Sequence, residues 1–238
     1  MSIGAPAPVP ASPLPRGGSP AFAAVAAHQV RGPLSSVRLR LELLLDRLAP
    51  GAEADTLRQV RGALREVDRL SQVLEQVLAW GAAGQDGDVL ETVDALGVAA
   101  ARVDAWRVVA GERGVGLCLD GASVTARQVR GCLGQCLDVF LDNSLHVTPR
   151  GGRVTVLVRG TPGTVRVEVH DQGPGMSREE IDRACEPFWR GRAGRGHQGT
   201  GLGLPIASSL LTASGGRMEL GRAHRGGLRA VAVLPRAV

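Results

Sequence analysis

The sequence predicts an α-helical hairpin, which makes a four-helix bundle as a dimer, followed by an α/β sandwich. Three observations carry this prediction. Between positions 27 and 78 apolar residues recur in alternating steps of three and four, in two runs separated by a Pro50-Gly51 break. From about residue 89 the pattern changes to short strands rich in Val and Leu that alternate with helical stretches. A Gly-rich segment, Gly81 to Gly87, separates the two regions.

Residues 1–20 (MSIGAPAPVPASPLPRGGSP) are Pro, Ala, Gly and Ser with almost no charge, and are expected to form an extended leader with no packed core. The first helix of the 21–84 hairpin carries its seam at Ala27, Val30, Leu34, Val37, Leu41, Leu44 and Leu48. The second carries it at Leu57, Val60, Leu64, Val67, Ser71, Leu74 and Leu78. This is a heptad pattern, and a short turn between the runs makes them antiparallel. Further apolar residues beside each seam, such as Leu39, Leu43, Leu70 and Val77, widen the face beyond what one partner helix covers. A homodimer buries that surplus.

His28 stands one position past Ala27, outside the seam, so its imidazole is expected to face solvent. It is followed by Gln29-Val30-Arg31-Gly32-Pro33-Leu34. A proline inside a helical heptad removes a backbone hydrogen bond and kinks the axis at a cost of roughly 3 kcal/mol. Such a cost next to an exposed histidine points to a functional element.

The region 85–238 reads as one sheet and one helical layer. A strand at Val89 to Val93 leads into a helix capped by Asp94, and a strand follows at Val115 to Leu119. A long helix is expected from about Thr125 to Leu145, then strands at Arg153 to Arg159 and Thr164 to His170. A last helix, Leu204 to Ala213, precedes strands at Met218 to Gly221 and Leu228 to Leu234.

Composition excludes whole chemistries. All 28 basic residues of the 238 are arginine, and no lysine occurs. A Walker A loop, a protein kinase of the strand-lysine type and a Schiff-base enzyme each need a lysine amine. Net charge is +5, but the arginines are spread over every segment and aromatics are only 3%, which argues against a nucleic-acid surface. Nucleotide phosphates or an acidic protein surface fit better. The four cysteines lack paired spacing, so free thiols in a reducing, cytoplasmic setting are expected. No apolar run reaches the 18 or so residues of a membrane span.

Three segments place polar groups where a core does not want them. The expected long helix ends in Asn143 and His146 beside Thr148-Pro149-Arg150-Gly151-Gly152. A strand ends in Asp171-Gln172-Gly173-Pro174-Gly175-Met176, a carboxylate followed by backbone that a ligand can approach closely. Gly199-Thr200-Gly201-Leu202-Gly203-Leu204 opens a helix, whose bare amides and positive dipole end can cradle phosphates. Together they supply a carboxylate for an exocyclic amine, an amide oxygen for Mg²⁺ and a glycine nest for phosphates. Gly194-Arg-Gly196-His-Gln-Gly199 fits a dinucleotide fingerprint only on paper, since it follows an Arg-rich loop and not a strand.

These residues resemble, in order and spacing, the motifs of bacterial two-component sensor histidine kinases. His28-Gln-Val-Arg-Gly-Pro-Leu is similar to their H box, and Leu141-Asp142-Asn143 through Pro149 to their N box. Asp171-Gln-Gly-Pro-Gly is similar to the first glycine box, Glu186-Pro187-Phe188-Trp189-Arg190-Gly191 to the F box, and Gly199-Thr-Gly-Leu-Gly-Leu to the second glycine box. The resemblance covers about residue 21 to the end. It implies a Bergerat-type ATP-binding fold, which binds ATP without a Walker lysine.

The resemblance further implies that ATP lies between the long helix and a lid of about residues 177–198. Asp171 is expected to read the adenine amine and Asn143 to hold Mg²⁺. Gly173, Gly175, Gly199, Thr200, Gly201, Leu202 and Gly203 are expected around the nucleotide, with His146 near its phosphates and Phe188 packing at the lid's root. The γ-phosphoryl is expected to pass to His28, with Gln29 beside it, and then to an Asp on a response-regulator receiver domain. Either a separate protein is expected to supply the signal, or the chain is part of something longer. The chain also departs from the family pattern. Gln29 stands where an acid is common and Gly32 where Thr or Asn is common, while Val139, His146 and Val147 replace an Asn, a Lys and an aromatic. These departures keep a second reading open, a degenerate kinase that acts as a dimeric scaffold or phosphorelay intermediate. A gyrase-type ATPase is a third, but it needs a water-activating acid where Val139 stands.

Overall fold

The structure, a computed structural model, describes residues 35–45, 56, 59–60, 62–64, 67, 90–192, 200–224 and 226–237. They belong to two units, one within Pro15–Ala82 and one within Ala83–Val238. In the first unit residues 35–45 are helical, with an Arg38 to Glu42 ion pair of 2.9 Å one turn apart. Of the expected seam, Val60 and Val67 are buried, whereas Val37 and Leu44 are about half exposed, as are Leu39 and Leu43 beside it.

The second unit runs β1 (Leu90–Asp94), α1 (Ala95–Arg113), β2 (Gly116–Gly121), β3 (Thr125–Val129), α2 (Cys132–Val147), β4 (Arg153–Gly160) and β5 (Thr164–His170). It continues with α3 (Arg178–Arg183), α4 (Gly203–Ala213), β6 (Arg217–Arg222) and β7 (Leu228–Pro235). Strands order as β2-β4-β5-β7-β6, with β2 and β4 parallel and the other neighbours antiparallel. Helices α1, α2 and α4 cover one face, α2 lying between the other two. The period-two alternation of β4 and β5 sends Val154, Val156, Val158, Val165, Val167 and Val169 into that interface, where all are buried. The expected sandwich is therefore present.

One expected element differs. The sequence pattern reads as helix from Thr125, but Thr125–Val129 is a strand paired antiparallel with β1, Thr125 opposite Asp94 and Val129 opposite Leu90. Gly131, at φ 74°, turns the chain between this strand and α2. The pairing partner lies more than thirty residues upstream, beyond the reach of a local pattern. The short helix α3 also escaped the pattern. It is held by a capping box, in which the Ser177 hydroxyl accepts from Glu180 N and the Glu180 carboxylate from Ser177 N.

The cap expected at Asp94 is present. Its carboxylate accepts from Leu96 N at 3.1 Å, Gly97 N at 3.2 Å and the Ser123 hydroxyl at 3.0 Å, tying the start of α1 to the turn before β3. Asp94→Ala is expected to cost about 1 kcal/mol of stability, read as a lower urea midpoint with an unchanged slope.

Candidate functional site

Helix α2 owes its position to its apolar face: Leu133, Leu137, Phe140 and Leu141 are all but fully buried. The remaining stripe, Val139, Asn143 and Val147, is spaced four residues apart and so lies on one side of the helix. Two contacts show what that side faces. A Cβ placed on Gly203 meets Val139 Cγ1 at 3.0 Å, and one placed on Gly173 meets Val147 Cγ2 at 2.6 Å. Asn143, which is exposed, thus stands between the two glycine segments. A side chain at Gly173 collides with the helix, and one at Gly203 crowds it.

Asp171 directly follows β5 and is 2% exposed. Its Oδ1 accepts from Gly173 N at 2.8 Å and from Leu228 N at 3.0 Å, while Oδ2 has Ser144 Oγ at 3.5 Å. One oxygen is therefore committed to the backbone and the other keeps capacity for a further donor. Burial pushes the carboxyl above the usual range, against the pull of the Leu228 and Gly173 N–H groups. Gly227, at φ 81°, packs directly on the Asp171 backbone, so no larger residue fits behind the carboxylate.

Helix α4 begins at Gly203 with no side-chain cap, and the N–H of Leu202 donates to Thr200 Oγ1 at 3.2 Å. Its first-turn amides have no intrahelical acceptor, which leaves a positive end beside the Asn143 stripe. Gly201, at φ 73°, accepts from Phe188 N at 3.0 Å, and a Cβ there strikes the Phe188 backbone at 2.7 Å. The expected packing role of Phe188 is corrected by this geometry. Its ring is 66% exposed and its own φ is 65°, so the backbone makes the anchor and the ring does not. Leu202 is fully buried.

His146 is engaged on both sides of its ring. Nδ1 lies 2.8 Å from the Asp142 carbonyl oxygen and 3.1 Å from the Asp142 carboxylate, and Nε2 lies 3.1 Å from an Arg113 nitrogen. The Asp142 carboxylate raises the imidazole pKa, and burial opposes it. A cavity of about 400 Å³ is lined by Pro174, Gly175, Met176, Glu180, Arg192 and Arg222 among others. Asn143, His146 and Asp171 do not line it.

The structure therefore brings Asn143, Gly173 and Gly203 to one side of α2, with Asp171 beside Ser144 of the same helix, while Gly201 packs on Phe188 and Gly175 on Gly227. His28, Gln29 and Gly199 lie outside the described residues. Arg113 and Leu228 were missed by the sequence, since a contact made from 33 positions away leaves no local pattern. Among the described residues no group of three or more His, Cys, Asp or Glu side chains can hold a metal ion. Mg²⁺ still fits. It takes one or two protein oxygens and completes its shell with phosphates and water, and the exposed Asn143 amide offers such an oxygen.

A helix-covered sheet with a buried carboxylate and two glycine segments defines an ATP-binding domain, and comparison with known proteins agrees. Residues 129–238 match the family model described as histidine kinase-, DNA gyrase B-, and HSP90-like ATPase. Residues 21–84 match the His Kinase A (phospho-acceptor) domain. The chain belongs to the two-component sensor histidine kinases. It is 32% identical to the sensor protein kinase PmrB of Pseudomonas aeruginosa, over 89% of this chain and 44% of that protein. It is 29% identical to the signal transduction histidine-protein kinase BaeS of Escherichia coli, over 90% of this chain and 46% of that protein. The chain thus spans less than half the length of these relatives. Among solved structures, full-length ShkA in complex with AMPPNP aligns with a TM-score of 0.76 at 27% identity, covering 93% of this chain and 47% of that one. No described helix is long and apolar enough to cross a membrane.

Proposed function

We propose that this chain uses Mg-ATP to phosphorylate His28 and passes the phosphoryl group to an aspartate of a response-regulator receiver domain. The observation that carries the ATP reading is Asp171, a nearly fully buried carboxylate with Oδ1 committed to two backbone donors and Oδ2 set to accept one more. An adenine amine supplies that donor. The amides at the start of α4 face the phosphates, and Thr200, Gly201 and Gly203 let the backbone come close. The Asn143 amide oxygen would hold Mg²⁺, which would supply charge neutralisation for phosphoryl transfer. An imidazole nitrogen of His28 forms the new N–P bond, the bond to the bridging oxygen of ADP breaks, and the ring gives up its proton to solvent water. Gln29 cannot accept that proton, only a hydrogen bond.

The half-exposed Val37, Leu39, Leu43 and Leu44 support a homodimer, since a second copy covers them. A cytoplasmic place belongs to the same reading. A second reading, a scaffold or relay intermediate that does not use ATP, is favoured by Val139, which packs on Gly203 where the resemblance puts an Asn.

Calorimetric titration separates the two. Wild type is expected to bind Mg-ATP, and Asn143→Ala to bind it about tenfold more weakly, with a smaller loss when EDTA removes the metal. No binding by wild type leaves the scaffold reading alone. Incubation with γ-labelled ATP then tests transfer, through an acid-labile, alkali-stable label on the protein.

A further inference from the structure

A nucleoside triphosphate brings several negative charges, and this chain has no lysine to meet them. His146 stands three residues past Asn143 on α2, close to the same side of the helix. Its Nε2 is taken up by Arg113 in the observed setting, so the ring does not itself present an N–H to a phosphate. With Nδ1–H donating to the Asp142 carbonyl oxygen at 2.8 Å, Nε2 keeps its lone pair and accepts from Arg113 at 3.1 Å. The fixed charge at this place is the guanidinium.

Arg113 is the last residue of α1 and reaches across to α2. Its second terminal nitrogen donates to the Leu145 carbonyl oxygen at 3.3 Å. A guanidinium carries five N–H donors, and these two bonds use two of them. Its charge is permanent, and its fork suits phosphate oxygens.

We propose that Arg113 binds the phosphate chain of the nucleotide, held on the Asn143 side of α2 by its hydrogen bond to His146. This inference rests on the ATP reading above and deepens it, since it names the residue that replaces a lysine ammonium. The competing role is structural: through Leu145 O, Arg113 also caps the C-terminal end of α2.

The full chain and its Arg113→Gln variant are titrated with Mg-ATP and with adenosine, and their thermal melts are recorded. Glutamine keeps N–H donors for the capping bond but loses the charge. The expected result is about tenfold weaker Mg-ATP binding with adenosine within about twofold of wild type. Equal losses for both ligands, or none for Mg-ATP, overturn the inference. Where Arg113→Gln is too unstable to titrate, Arg113→Lys carries the test. Lysine keeps the charge but loses the fork, so Mg-ATP binding is expected to weaken about threefold with adenosine unchanged, and equal losses for both ligands, or none for Mg-ATP, overturn the inference. A wild type that fails to bind Mg-ATP sinks the ATP reading itself, whereas one that binds it and is matched by Arg113→Gln sinks only the role of Arg113.

Discussion

Replacing His28 by alanine is expected to remove phosphoryl incorporation from ATP, by at least about a thousandfold, while Mg-ATP binding stays within about twofold of wild type. The two halves of the outcome follow from a division of labour. The matched phospho-acceptor domain covers residues 21–84 and the matched ATPase domain residues 129–238, so acceptor and nucleotide site sit on different stretches of chain. A methyl group has no lone pair to attack phosphorus, and no neighbouring side chain replaces it: Gln29 is an amide and Arg31 is a cation. Stability is not expected to suffer, because alanine is the better helix former and position 28 lies outside the heptad seam. The measurement is autoradiography after acid and alkali treatment, beside calorimetry on the same protein. Label that persists in the His28→Ala variant refutes the assignment of the acceptor.

The second large effect is at Asp171. Asp171→Asn is expected to weaken Mg-ATP binding at least about a hundredfold, or about 2.7 kcal/mol. The variant oxygen can keep the bonds from Gly173 N and Leu228 N, so its amide NH₂ must take the place of Oδ2. A donor then faces the donor on adenine, and a charge-assisted hydrogen bond is exchanged for an unsatisfied buried group. Thermal melting is expected to change much less than affinity, since the backbone bonds survive. Equal binding by wild type and variant removes the adenine-reading role.

The same carboxyl sets a pH dependence. Its native pKa is raised by burial, so protonation begins at milder acidity than for a free aspartate at about 3.9. Below the raised value Oδ2 turns from acceptor to donor and Mg-ATP affinity falls about tenfold per pH unit. The sign for stability is opposite. The native state holds this proton more tightly than the unfolded chain does, so this group favours folding as the pH falls between its raised pKa and the ordinary one. Loss of affinity in mild acid is therefore expected without loss of the fold, and comparison of calorimetry with a melt at each pH checks it.

Much of the site was legible from the chain because its parts are contiguous. Asp171-Gln-Gly-Pro-Gly and Gly199-Thr-Gly-Leu-Gly each combine a polar group with glycine over a few residues, and that combination has few structural uses. The helix at Asp94 was legible for a similar reason, since a cap and the pattern behind it are neighbours. Thr125–Val129 was not, because a strand with its partner at Leu90–Asp94 is specified by pairing across the fold. Phe188 differs for another reason: the resemblance implies a packed ring, yet the residue is 66% exposed and its backbone lies at φ 65°.

The sequence by itself determined the hairpin pattern, the sandwich, the order of the motifs and the absence of lysine, each a property of spacing or composition. Only the tertiary structure decided that one oxygen of Asp171 is spent on Gly173 and Leu228, that Val139 and Val147 press against glycines, and that Arg113 reaches His146. Hydrogen bonds and close contacts act over a few ångströms in space, whatever the distance along the chain, so partners tens of residues apart leave no shared pattern in the sequence.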